Sequence, residues 1–108
     1  MYKLKLEYEG FEVAVAENGR QGLTLAEQFR PQLLLLDLHM PVMGGADMLA
    51  RLRTKDWGSD IRVIILANTS RNEAPQSLRF LHVDRYIEKA HYTPSQVVNT
   101  VREVLGVT

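Results

Sequence analysis

The chain is predicted to fold as an α/β domain, a doubly wound parallel sheet with helices on both faces. Five apolar segments alternate with amphipathic ones along it. Two of the apolar runs, Leu33 to Leu36 (LLLL) and Ile61 to Leu66 (IRVIIL), lack the regular alternation of a half-solvated strand, as expected where both faces are covered. Strands and helices taking turns at these lengths are the pattern of crossover connections between parallel neighbours.

Each element has its own local justification. The first nine residues are open to two readings. Tyr2, Leu4, Leu6 and Tyr8 alternate with Lys3, Lys5, Glu7 and Glu9, which by period favours a strand, whereas Leu, Lys and Glu are good helix formers. Phe11 to Ala16 (FEVAVA) follows the turn-forming Gly10 and reads as a strand. Asn18-Gly19 opens a helix with Leu23, Ala26 and Phe29 on one face, and Arg30-Pro31 stops it. After the LLLL strand, Gly44-Gly45 punctuates a loop, and Ala46, Leu49 and Leu52 mark a helix running to about Thr54. A weaker helix is expected near Asn72 to Leu81, with Pro75 in its first turn. Arg85 to Glu88 (RYIE) alternates like a short edge strand. Thr93-Pro94 starts the last helix, which buries Val97, Val98, Val101, Val104 and Leu105 and ends at Gly106.

Composition removes several classes of function. With 108 residues, 45% of them hydrophobic, the chain suits one domain with a modest core. Its 13 basic and 13 acidic side chains cancel, so no overall field recruits nucleic acid or an anionic membrane directly. Without cysteine there is neither disulfide nor thiolate chemistry, and a cytoplasmic setting is the expectation. No apolar run approaches the ~20 residues of a membrane span, and Lys3, Lys5, Glu7 and Glu9 interrupt any signal-peptide core.

The feature that calls for a chemical explanation is Asp37, which closes the most apolar segment of the chain. Ligand sites of parallel sheets gather beyond the carboxyl ends of the strands. A carboxylate carried there either caps a turn or serves as a nucleophile or metal ligand. The loop DLHMPVMGG that follows resembles the one after the phosphoacceptor aspartate of response-regulator receiver domains, where Met-Pro and a glycine follow the aspartate. Ala67 lies 30 positions after Asp37, at the end of the next strand, and Lys89 lies 52 positions after it, at the end of RYIEK. These are the places at which the family carries a Thr or Ser and a lysine, and Tyr86 matches its aromatic switch position.

The resemblance extends over all 108 residues and implies a flavodoxin-like fold with strand order 2-1-3-4-5. It implies that Asp37 accepts a phosphoryl group from a sensor histidine kinase or phosphotransfer protein, with Lys89 contacting a phosphoryl oxygen. It further implies a Mg²⁺ ion on Asp37 and the backbone carbonyl of His39. The module would act as a switch of partner interactions, not as a conventional enzyme.

Three departures from the family bear on that expectation. Counted back from Asp37, the family's first strand and its Mg²⁺-holding acidic pair fall before Met1, so residues 1–108 are expected to form a receiver domain lacking both. Homodimerisation is one way of covering the strand edges so exposed. Ala67 has no hydroxyl to offer a phosphoryl group, with Asn68, Thr69 and Ser70 as the nearest substitutes. Ala90 follows Lys89 where most members have proline, and His82 replaces a glycine, which puts a side chain at a left-handed position. These departures define the alternative reading, a pseudo-receiver that binds partners without efficient phosphorylation. On the family pattern, the first nine residues are the tail of the first helix.

Overall fold

The computed structural model describes residues 2–107. Its elements are helix α1 (Tyr2–Tyr8), α2 (Gly19–Phe29), strand β1 (Leu33–Asp37), α3 (Gly45–Arg53), β2 (Arg62–Ala67), β3 (Arg85–Glu88) and α4 (Pro94–Leu105). The three strands form one parallel sheet in the order β1-β2-β3, with Leu35 opposite Ile64 and Ile65 opposite Tyr86.

β2 runs through the centre, and alternation of its side chains builds two cores. Val63, Ile65 and Ala67 point into one, with Ala26 of α2 and Met48, Leu49 and Leu52 of α3. Ile64 and Leu66 point into the other, with Leu6 of α1, Ile87 of β3 and the valines of α4. Helices therefore cover both faces, and the arrangement is the expected α/β one. Each of the three Val and Ile side chains closed off in β2 contributes about 2 kcal/mol of apolar transfer.

The last helix follows its sequence signals closely. The Thr93 Oγ1 accepts from the Gln96 N–H (3.2 Å), and the Gln96 Oε1 accepts from the Thr93 N–H (2.8 Å), a reciprocal cap that satisfies two groups otherwise left open. Pro94 occupies the first turn, and Gly106 closes the helix at φ 73°. Residues 2–8 resolve as helix. Leu6 buries against α4 while Leu4 and Tyr8 stay exposed, so the alternating pattern of this segment does not mark a sheet face.

Three expectations are corrected. Phe11 to Ala16 forms no strand: among the described residues it pairs with no neighbour, and a strand without a ladder is only an extended segment. β1 is less enclosed than its four leucines suggest, since only Leu36 is fully buried. Its outer edge has no paired strand among the described residues. The weak helix near 72–81 breaks into two short tight turns, Arg71–Glu73 and Gln76–Phe80, because Pro75 between them cannot donate to an α-helical ladder.

An arginine not singled out by sequence ties one end of the sheet together. Arg53, at the end of α3, donates from Nε to the Leu81 carbonyl (2.8 Å) and from Nη1 to the carbonyls of Gly58 (2.9 Å), Ser59 (3.2 Å) and Ile61 (2.7 Å). Its Nη2 donates to the His82 carbonyl (2.6 Å). Burial pushes this guanidinium down from its ordinary pKa, with Asp84 and Asp60 opposing the shift. His82 takes the expected left-handed conformation, φ 54°.

Candidate functional site

The carboxyl ends of the three strands meet at one place. β1 delivers Asp37, β2 delivers Ala67 and β3 leads directly into Lys89. The register sets Asp37 opposite Leu66 and Ala67 opposite Glu88, so the aspartate and the lysine flank the end of β2 from opposite sides. The Lys89 Nζ donates to the Asp37 Oδ2 at 2.6 Å. The other carboxylate oxygen, Oδ1, accepts from the His39 N–H at 3.0 Å. Charged groups make shorter and stronger hydrogen bonds than neutral ones, so the carboxylate is held in a defined orientation. It is not sealed: the Asp37 and Lys89 side chains keep 35% and 31% of their accessible surface. An approaching group can therefore reach the pair.

The loop after β1 is shaped by backbone proximity. A Cβ on Gly45 would lie 2.6 Å from the Asp37 carbonyl oxygen and 2.9 Å from the Leu38 Cα. Only glycine lets α3 start so close beneath the aspartate, a more specific role than the turn expected of Gly44-Gly45. The Met43 N–H donates to the Pro41 carbonyl (2.7 Å), tightening the loop around Val42, which sits at φ 68°. A β-branched residue with a positive φ is strained. Among the described residues, Val42 is also one of the most exposed large apolar side chains.

The other sequence candidates divide. Ala67 is fully buried and offers no polar atom to the aspartate. No hydrogen bond joins the Asn68, Thr69 or Ser70 side chain to Asp37 among the described residues. Tyr86 is turned towards the loop after β2, where its hydroxyl donates to the carbonyls of Thr69 (2.9 Å) and Ser70 (3.3 Å). His39 contributes its backbone N–H. His82 and His91 lie elsewhere: His82 is part of the Arg53 cluster, and the His91 Nδ1 is 3.3 Å from the Glu88 Oε2.

The donor set for a divalent cation is incomplete. Mg²⁺ prefers several hard oxygens, and Asp37 with the His39 carbonyl supplies one carboxylate and one carbonyl. No group of three or more His, Cys, Asp or Glu side chains converges among the described residues. The Asp37 Oδ2 is moreover engaged by Lys89. These residues do not fit a firmly retained ion. No helix is long and apolar enough to cross a membrane among the described residues.

Comparison with known proteins identifies the family and the fold. The family model described as "Response regulator receiver domain" matches residues 1–102. The DNA-binding response regulator MtrA of Mycobacterium tuberculosis is 38% identical over 102 residues, spanning 94% of this chain and 43% of that protein. The nitrate/nitrite response regulator NarL of Escherichia coli is 46% identical over 56 residues, spanning 52% of this chain and 26% of that protein. The chain thus spans less than half the length of these curated relatives. Among solved structures, the chemotaxis response regulator CheY4 of Vibrio cholerae superposes with a TM-score of 0.87 at 24% identity, over 96% of this chain and 86% of that one. The receiver domain of the sensor histidine kinase PA1611 from Pseudomonas aeruginosa, crystallised with magnesium in its active-site cleft, gives 0.84 at 19% identity, over 96% and 84%.

Proposed function

Since the chain belongs to the response-regulator receiver family, the signalling modules of two-component systems, we propose that Asp37 is its phosphoacceptor and Lys89 the residue that contacts the phosphoryl group. The observation carrying this reading is the 2.6 Å contact between Lys89 Nζ and Asp37 Oδ2 in a pair that stays about one-third exposed. A carboxylate oxygen attacks the phosphorus of a phosphohistidine on a sensor kinase or phosphotransfer protein. The P–N bond breaks, the imidazole leaves with its electron pair and takes up a proton, and an acyl phosphate forms on Asp37. Such transfers depend on positioning and on neutralising the equatorial oxygens. Here Lys89 moves from a carboxylate oxygen to a phosphoryl oxygen without leaving its place, and the His39 N–H holds the second carboxylate oxygen during attack. The role is that of a switch: a new dianion at the end of β1 alters the loops that present the site to partners. Tyr86, bonded to the Thr69 and Ser70 carbonyls, links those loops to β3.

A second reading is favoured by two specific observations, the buried Ala67 and the lack, among the described residues, of any group of three or more metal-ligating side chains. On it the chain is a pseudo-receiver that binds partners with little phosphorylation. Incubation with acetyl phosphate or phosphoramidate and Mg²⁺, followed by intact-mass measurement, separates the two. A gain of one phosphoryl group that disappears in Asp37→Asn supports phosphoacceptance. No gain at saturating donor and metal rejects it for this chain.

A further inference from the structure

Of the asparagines in the chain, Asn18, Asn68, Asn72 and Asn99, the first alone is followed by glycine. Thr69 and Thr100 are branched at Cβ and Glu73 is long, so their main-chain nitrogens are crowded, whereas Gly19 has no Cβ beside its nitrogen. Asn18 caps α2. Its Oδ1 accepts from the Gln21 N–H at 2.9 Å, and its carbonyl accepts from the Gly22 N–H at 2.9 Å. The first N–H of a helix has no intrahelical acceptor. That of Gly19 is taken by no other carbonyl or side chain among the described residues. A side-chain amide carbonyl polarised by a donor therefore sits next to an unbonded main-chain N–H, at the helix end that favours negative charge. The other side of Gly19 is closed. A Cβ there would lie 2.4 Å from the Met43 carbonyl oxygen and 2.9 Å from the Met43 Cβ. Met43 belongs to the loop after Asp37, and its N–H tightens that loop through the Pro41 carbonyl (2.7 Å).

We propose that Asn18-Gly19 is a self-modification site, at which the Asn18 side chain deamidates with water and the isoaspartyl product loosens the loop after Asp37. The Gly19 nitrogen gives its proton to water or hydroxide and attacks the Asn18 Cγ. Negative charge develops on Oδ1, where the Gln21 N–H already donates. The bond from Cγ to the side-chain nitrogen then breaks, and that nitrogen takes a proton from water and leaves as ammonia. A five-membered succinimide remains, and a second water opens it at either carbonyl. The balance is one water consumed and one ammonia released, with no change of oxidation state. The two products differ in consequence. Opening at Cγ gives aspartate, which keeps a capping oxygen and adds a charge that the helix end favours. Opening at the main-chain carbonyl gives isoaspartate, in which the chain runs through Cβ and Cγ and is one atom longer. The extra atom falls directly before Gly19, whose contact with Met43 leaves no room even for a Cβ. The start of α2 must then shift, and the loop against which it packs loses that support. Ring closure turns Asn18 away from its extended ψ of 170°, a movement confined to the first helical turn, where opening costs little. The reaction uses neither Asp37 nor a phosphoryl donor, so it stands or falls apart from phosphoacceptance.

The test is incubation of the folded full chain at mildly alkaline pH beside a capped synthetic peptide of residues 16–21. Peptide mapping by mass and chromatography follows aspartyl and isoaspartyl products at each asparagine. Conversion at Asn18 is expected within about 10-fold of the rate in the free peptide, since opening a helix end is a small cost. Asn68, Asn72 and Asn99 should convert at least about 10-fold more slowly than Asn18, because the residue after each carries a side chain. Asn18→Ser keeps a capping oxygen but lacks the amide carbon, and should give no product at this position while circular dichroism stays unchanged. The isoaspartyl form, separated from the starting chain, should exchange its Met43 amide proton at least about 3-fold faster, as a locally opened loop does. Asn18→Asp carries the same charge without the longer chain and should leave Met43 exchange unchanged. The proposal is overturned by three results: no product at Asn18 once the peptide has converted, conversion at the other asparagines as fast as at Asn18, or an isoaspartyl form whose Met43 exchange matches that of the unmodified chain.

Discussion

Replacing Arg53 by alanine should cost more stability than any other single surface-reaching substitution in the chain. The guanidinium reaches five carbonyls, and these differ in environment. The bonds to Gly58, Ile61 and Leu81 are partly buried, whereas those to Ser59 and His82 are exposed and open to replacement by water. Counting only the three partly buried bonds at about 1–1.5 kcal/mol each gives a loss of about 3–4.5 kcal/mol. A small domain with a stability of about 5–15 kcal/mol survives this. Urea unfolding followed by the fluorescence of Trp57, next to Gly58, should then show a midpoint lower by about 1–3 M at unchanged slope. Arg53→Lys should recover less than half, because a single ammonium cannot span acceptors on both sides of the helix end. Added salt should change little, since the partners are carbonyls. A loss below about 1 kcal/mol, or full rescue by lysine, would refute the claim that these bonds join α3 to the sheet.

Three further outcomes follow from the geometry. Lys89→Ala should change stability by no more than about 1 kcal/mol, because the ion pair is one-third exposed, yet reduce phosphoryl uptake from acetyl phosphate at least about 10-fold by intact mass. Gly45→Ala should destabilise by about 1–3 kcal/mol in urea titration and slow phosphoryl uptake, since its Cβ meets backbone of Asp37 and Leu38 that cannot step aside. Thr93→Ala should lower stability by about 1 kcal/mol through loss of the α4 cap and leave uptake unchanged, which makes it a control for purely structural damage.

Much of the architecture was legible because local signals and burial agreed. α4 carried its cap, its proline and its terminal glycine in the sequence, and β2 carried a run apolar enough to be central. The family resemblance implied that Asp37 and Lys89 lie together, and they stand 2.6 Å apart. What failed was whatever depends on a neighbour. FEVAVA has strand composition, but a strand is defined by hydrogen bonds to another, and none reaches it. The LLLL run was expected to be enclosed on both sides, and its open edge leaves three of the four leucines partly exposed. In residues 2–8 an alternating pattern competed with helix propensity, and docking of Leu6 on α4 decided for the helix. Arg53 escaped notice because an arginine near a helix end is ordinary in sequence. Its importance lies in carbonyls contributed by residues up to 29 positions away.

The order β1-β2-β3 also fixes when the reactive pair can exist. Asp37 and Lys89 are 52 residues apart and sit on the two strands that β2 keeps from touching. A chain whose first two strands have associated presents the aspartate without its cation, and contacts this distant in sequence form late. On the proposed reading, competence to take a phosphoryl group is acquired with the docking of β3. A nascent or partly opened molecule carries Asp37 without its lysine, so phosphoryl uptake there, as proposed, would double as a test that β3 has docked.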